Sequence, residues 1–231
     1  MNREFVSYPK SGRSWIRYML FLSGHAKEVR FHHDGFEFND GSKPPLDFDV
    51  DRRLRRYGEA DRVVYLERDP RDVMVSLYYQ VVGRFRDYFN YRGSISDFIR
   101  DPYFGAENLA RFRSVWDEVL ADRGFMKVTY EAFHADTAAS LQGVLDYLHL
   151  PVDRAALDGT VAAASLGRMR EVEEAGTFPE PWLRKRNGEP KVRRGKVGGF
   201  RGELHGADIE YLDQVFGVGD QPLPGSSDEG P

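Results

Sequence analysis

Apolar residues recur along this chain with two different periods. Short runs of apolar and β-forming residues alternate with longer stretches whose apolar positions fall three and four apart. Phe5 to Tyr8 is the first short run, and Trp15 to Ser23 carries helical spacing up to a stop at Gly24. Residues 29–33 form a second candidate strand. Gly35, Gly41, Pro44 and Pro45 then mark residues 34–51 as an irregular loop, and a short basic helix is expected over 51–57. Arg62-Val63-Val64-Tyr65-Leu66-Glu67 is the clearest strand, nearly continuous in β-formers, as a strand buried on both faces should be. Asp69-Pro70 then opens a helix that turns Val73, Met74, Leu77 and Tyr78 inward and runs towards Gly83. Further on the pattern predicts a helix over 108–122, a strand over 125–129, a helix over 136–148 capped by Asp136, and helices near 154–163, 166–174 and 208–216.

Strands that alternate with helices imply an α/β fold in which a central parallel sheet is flanked by helices. Ligands of such sheets bind beyond the C-terminal ends of the strands. The loops after Tyr8 and after Glu67 both leave strands at that edge. The length of 231 residues suits a single domain, expected over 1–217, with a disordered tail over 218–231.

Composition narrows the chemistry. With no cysteine, disulfides, cysteine–zinc sites and thiol catalysis are excluded. No apolar run is long enough to cross a bilayer and no signal pattern opens the chain, so a cytoplasmic protein with no membrane partner is expected. A net charge of −4 argues against a general nucleic-acid binder. That charge is segregated, with six acids against one lysine over 31–51 and eight bases against one acid over 184–201. The second stretch points to an anionic ligand.

Tyr8-Pro9-Lys10-Ser11-Gly12-Arg13-Ser14-Trp15 supplies a place for such a ligand. A strand, a tight loop and a helix start aim uncommitted backbone N–H groups and the positive end of a helix dipole at one point. Lys10 adds a point charge, Ser14 a hydroxyl and Trp15 a flat face for an aromatic base. The lysine comes early, and no Ser or Thr follows it in the magnesium-binding place of a Walker loop, so the loop fits phosphate without a metal. The octet resembles the 5′-phosphosulfate loop of sulfotransferases that use 3′-phosphoadenosine 5′-phosphosulfate (PAPS), usually written YPKSGTTW; Arg13 replaces a threonine. The resemblance implies the three-layer P-loop-like form of the α/β fold, with Lys10, Ser11, Gly12, Arg13, Ser14 and Trp15 on the cofactor.

Two more stretches carry the same resemblance. Arg68-Asp69-Pro70-Arg71-Asp72, with Ser76 eight residues after Arg68, is similar to the family's 3′-phosphate motif and assigns Arg68 and Ser76 to that phosphate. An ordinary Arg68–Asp72 ion pair is the alternative. Arg193-Arg194-Gly195-Lys196-Val197-Gly198-Gly199-Phe200 is similar to the late R-K-G-x-x-G-D-W signature, with Arg193, Arg194 and Gly195 closing the same clamp. Gly199 and Phe200 replace its Asp and Trp, which leaves open what anchors the loop. Softer matches are Tyr130, in Val128-Thr129-Tyr130-Glu131, and Ser165, in Ser165-Leu166-Gly167-Arg168-Met169, both implied to lie near the adenine.

Moving a sulfuryl group to a hydroxyl needs a base, positive charge on the departing phosphate, and in-line geometry. Lys10 fits the leaving-group role. The family places its catalytic histidine after the second strand, which favours His33 and keeps His32 in reserve. The expected enzyme is a PAPS-dependent sulfotransferase that releases adenosine 3′,5′-bisphosphate (PAP), uses no metal, and acts on a small-molecule hydroxyl. Phe85, Tyr88, Phe89 and Tyr91 either wall an aromatic or apolar acceptor pocket or belong to the core. An ATP-dependent small-molecule kinase and a non-catalytic nucleotide-binding protein are the alternatives; the oligomeric state is not legible.

Overall fold

The computed structural model describes residues 1–38 and 42–218. In chain order its elements are β1 (Arg3–Ser7), α1 (Arg13–Leu22), β2 (Arg30–His32), α2 (Val50–Arg56), β3 (Arg62–Glu67) and α3 (Pro70–Tyr79). A π-helical segment, Gln80–Arg84, prolongs α3. There follow α4 (Arg86–Phe89), α5 (Ile95–Ile99), α6 (Ala106–Arg123), β4 (Met126–Thr129), α7 (Tyr130–Ala135), α8 (Thr137–Tyr147), α9 (Arg154–Ala163) and α10 (Leu166–Ala175). A 3₁₀ turn at Gly199–Gly202 precedes α11 (Gly206–Phe216). Of the expected tail, all but Val218 lies outside the described residues.

The strands pair in the order β2-β1-β3-β4, all parallel, with Phe5 beside Phe31 on one side and Val64 on the other. Successive side chains of a strand point to opposite faces, and both faces here are apolar. Val6, Val63 and Tyr65 join one core with residues of α3, α6 and α11, whereas Phe5, Val64 and Leu66 join another with residues of α1, α8 and α9. Two helical layers around one parallel sheet form the three-layer, P-loop-like α/β arrangement.

Of the acids in the 34–51 loop, Asp34 is buried, whereas Asp49 and Asp51 are exposed. The Asp34 carboxylate is buried and accepts from Arg53 Nε at 2.5 Å, Tyr57 Oη at 2.7 Å and Trp116 Nε1 at 3.2 Å, with Arg56 Nη1 at 3.1 Å. Basic α2 thus pairs with Asp34 and Asp47. Asp40 lies outside the described residues.

Four elements were not expected from the sequence. The segment around Gly83 is π-helical, α7 follows β4 where no helix was expected, and α4 and α5 break up the aromatic segment that starts at Phe85. Pieces of four to six residues carry too few periods to register in an apolar pattern. Thr129 caps α7 by accepting from Ala132 N at 3.1 Å, so the helix starts directly where β4 ends.

Candidate functional site

At the C-terminal edge of the sheet the loops after β1, β3 and β4 and the basic 184–201 stretch enclose one cavity of about 590 Å³. The loop after β1 is shaped by backbone conformation. Lys10 adopts φ 72 and Gly12 φ 99, both left-handed. Gly12 is required twice over, since a Cβ there would also lie 2.6 Å from Tyr130 Cε2. No side chain among the described residues caps α1 and no acid sits in its first turn. The first N–H groups of α1 therefore face the cavity with the helix dipole behind them. By contrast α3 is capped internally, Asp69 accepting from Arg71 N at 2.9 Å. Of the two strand-to-helix loops, only the first leaves its helix start open to an anion.

Lys10, Gly12, Arg13, Ser14 and Trp15 line the cavity; Ser11 is buried beneath them and does not. Burial pushes the Lys10 ammonium well down, and the nearby charges of Lys191, Arg84, Arg68 and Arg193 push the same way. Trp15 is fixed by its Nε1 donating to Ala164 O at 2.8 Å, by an edge contact with Tyr130 and by a tilted contact with His134.

Arg68 and Ser76 line the same cavity. The Arg68 guanidinium lies over the Tyr130 ring, 4.3 Å from its centroid. Its Nη1 donates to Lys10 O at 3.2 Å and its Nη2 to Lys196 O at 3.0 Å, so one guanidinium ties the first loop to the late basic loop. The Asp72 carboxylate stands 3.5 Å from Arg68 Nη2, and the buried Arg68 Nε has no partner among the described residues.

Asp72 also explains how the late loop holds without the Asp and Trp of the family signature. It accepts from Gly198 N and Phe200 N, each at 2.9 Å, and Phe200 is buried beneath Arg71, whose guanidinium lies 4.3 Å from its ring centroid. Gly195 (φ 62) passes so close to Leu166 that a Cβ would fall 2.8 Å from Leu166 Cδ1. Arg193 and Arg194 share the Glu203 carboxylate at 2.9 and 2.7 Å, which points both into the cavity wall. Tyr130, Leu166 and Met169 line the opposite wall; Ser165 does not line it, and its hydroxyl caps α10 towards Arg168 N.

The two histidines have separate surroundings. His32 Nε2 meets Glu4 Oε2 at 2.6 Å and its Nδ1 accepts from Asp34 N at 3.1 Å, so both ring nitrogens are engaged. His33 lines the cavity, and its Nδ1 lies 2.8 Å from Ser7 O. A carbonyl only accepts, so Nδ1 carries the hydrogen and the lone pair is on Nε2. Burial pushes the His33 pKa well down, and the Arg13 charge adds to this, which leaves the ring neutral near pH 7.

Lys191, Arg84, Arg17 and Trp182 were not legible as site residues. Lys191 lies on the late loop, whose backbone is held by Glu173: Lys191 N and Val192 N both donate to its buried carboxylate, the latter at 3.0 Å. Burial, with Arg84 and Arg13 nearby, pushes the Lys191 pKa down to about 7. Its charge acts on Lys10 and on His33. The π segment brings Gln80 and Arg84 to the cavity after Ser76, and Phe85 follows. Of the four aromatics proposed as a wall, only Phe85 lines it. Phe89 and Tyr91 pack on Phe104 and Phe98, and Tyr88 is exposed beneath Arg186. Among the described residues no group of three or more His, Asp and Glu is placed to hold a metal ion.

This geometry has relatives. The family model of the sulfotransferase domain matches residues 59–224, well over half of the chain. The chain belongs to the PAPS-dependent sulfotransferase family. Mouse sulfotransferase 2B1 is 26% identical over 240 residues, spanning 91% of this chain and 69% of that protein; the rat protein is 26% identical over 234 residues, spanning 91% and 68%. In fold, the chain is similar to mouse sulfotransferase SULT7A1 complexed with PAP (TM-score 0.68, 16% identity, 93% of this chain and 82% of that one). It is also similar to retinol dehydratase in a complex with retinol and PAP (TM-score 0.61, 16% identity, 96% and 83%). The protein is therefore an enzyme of sulfuryl transfer, and among its described residues no helix is long and apolar enough to cross a membrane.

Proposed function

We propose that this sulfotransferase carries the sulfuryl group of PAPS to the hydroxyl of a small molecule, with His33 as base and with Lys10 and Lys191 as the cations beside the scissile bond. The observation that carries the reading is that Lys10, His33, Arg68, Ser76 and Arg193 line one cavity. A nucleotide with two separate phosphates suits a cleft lined by a helix N-terminus and by several arginines and lysines. The open N-terminus of α1, with Ser14, would hold the 5′-phosphate, and Arg193, Arg194 and Ser76 the 3′-phosphate. Tyr130, Trp15 and Leu166 would flank the adenine.

In this reading His33 Nε2 takes the proton of the acceptor hydroxyl as its oxygen bonds to sulfur. The bond from sulfur to the bridging oxygen breaks, and its electron pair stays with the phosphate of PAP. Lys10 and Lys191 neutralise that oxygen, at a site dry enough for such charges to act strongly. The PAP found in the two structural relatives supports the donor assignment, and the retinol in one of them supports a small-molecule acceptor.

The test compares PAP with AMP by calorimetry and screens acceptors with ³⁵S-labelled PAPS. PAP should bind at least about a hundredfold more tightly than AMP, since charge-assisted bonds contribute about 1.5–3 kcal/mol each. Equal affinities would overturn the 3′-phosphate assignment.

A further inference from the structure

Beyond the groups assigned to the donor, the His33 end of the cavity holds a second set of donors that the reaction itself does not use. Arg13 leaves the loop towards His33, and its buried Nη1 has no partner among the described residues. Arg17, one turn on along α1, stacks on the Trp182 indole at 4.9 Å from the ring centroid. Its nearest carboxylate, Glu180, is half exposed and 4.0 Å away. Trp182 Nε1 is buried and likewise unpartnered, and all three residues line the cavity.

Two acids lie near this charge and offset part of it. The Glu37 carboxylate accepts from His33 N at 2.8 Å and opposes the shift at Arg13, and Glu173 is held by the backbone of the late loop and stands 3.9 Å from Arg84 Nη1. Arg84 is held by Arg184 O and Glu189 O, each 3.0 Å from Nη1, yet its buried Nε is also unpartnered. A buried donor without an acceptor is costly, and the residues that carry these donors line the cavity. Burial pushes the Arg13 pKa down to about 9, with the Glu37 charge opposing and the Arg17 charge adding to it.

From this we infer that the acceptor is itself an anion: a hydroxy compound whose carboxylate or other oxyanion is bound by Arg13, Arg17 and Trp182 Nε1 while its hydroxyl meets His33. The inference rests on the functional reading above and narrows it. Phe85 supplies apolar surface in the same cavity. Two polar contacts at fixed separation would orient the acceptor, and selection against neutral analogues would follow from leaving the donors unpaired.

The experiment measures affinity for the PAP-loaded protein by calorimetry, using 4-hydroxybenzoate, 4-hydroxyphenylacetate and 3-(4-hydroxyphenyl)propionate beside their methyl esters. At least one acid should bind tenfold or more tightly than its ester. Arg17→Gln should remove that preference, Arg17→Lys should keep most of it, and Trp182→Phe should weaken the acid alone, with PAP affinity within twofold of the parent throughout. Failure of every acid to bind, equal binding of acid and ester, or a preference that survives both Arg17→Gln and Trp182→Phe would overturn the inference while leaving the sulfotransferase reading intact. A protein that does not bind PAP would overturn both.

Discussion

At the scale of single residues, the site depends on side chains held away from their usual states. The backbone carbonyl of Ser7 fixes the His33 tautomer, and burial keeps the ring neutral. His33→Asn keeps a polar side chain there but removes the basic nitrogen. It should lower kcat about 10²–10⁴-fold, the usual worth of a positioned base, and leave the affinity for PAP within a fewfold. Turnover at the parent rate in a ³⁵S-transfer assay would move the base elsewhere. Lys191 makes a second prediction. With a pKa near 7 in the empty protein it is largely neutral at pH 8. A bound anion favours the ammonium and raises that pKa, so binding takes up protons. PAP binding should take up more protons at pH 8 than at pH 6, as read from calorimetry in buffers of different ionisation enthalpy. Lys191→Met should flatten this dependence and lower kcat. Residues at the ends of elements, such as Lys10, Arg68 and Arg193, were legible because each lies within a loop motif only a few positions long. Lys191, Arg84 and Trp182 were not, since only the path of the chain after α10 and the π segment brings them to His33.

At the scale of elements, the strands and longer helices could be read from period alone. Arg62–Glu67 falls where its β-forming run lies, and α9 covers the expected 154–163. What the pattern could not contain is the contact between loops, because it is made by backbone groups that every residue carries. The late loop is an instance. Its family-type anchor is missing, and Asp72 of α3 replaces it with two backbone bonds. Asp72→Asn retains shape but turns one carboxylate oxygen into a donor, opposing the Gly198 or Phe200 N–H and removing the charge beside Arg68. Loss of such a pair costs about 1.5–3 kcal/mol. PAP affinity should fall at least tenfold, while Lys10 and His33 keep their places. The crossing of α1 and α7 gives the converse case, in which the backbone needs empty space. Gly12→Ala meets both a left-handed φ and the Tyr130 ring. It should abolish detectable PAP binding, and Gly12→Ala combined with Tyr130→Ala should regain only part of it, because the conformational strain remains.

For the whole molecule, the empty cleft is a reservoir of unfavourable charge. Lys10, Arg13, Arg68, Arg84, Lys191 and Arg193 converge on one cavity, and the lysines among them answer by binding protons less tightly than in the unfolded chain. The sign of the consequence follows from proton counting. Between about pH 7 and the ordinary lysine value the unfolded chain binds more protons at Lys191 than the folded one does, so this group makes stability rise with pH across that window. His33, also depressed, acts in the same direction at lower pH: acid unfolds the protein through the need to charge a buried ring. PAP reverses the upper limb, because its phosphates need the ammonium form. The empty protein should therefore melt at higher temperature at pH 8 than at pH 6. The stabilisation given by a fixed excess of PAP should be larger at pH 6 than at pH 8, since at pH 8 binding must first draw a proton from solvent. Binding at a hundredfold excess over Kd contributes about 2.7 kcal/mol, enough for scanning calorimetry to resolve the difference. Equal ligand-induced shifts at the two pH values, in the parent and in Lys191→Met alike, would mean that the cluster is compensated without a ligand and that the cleft is not held in readiness for an anion.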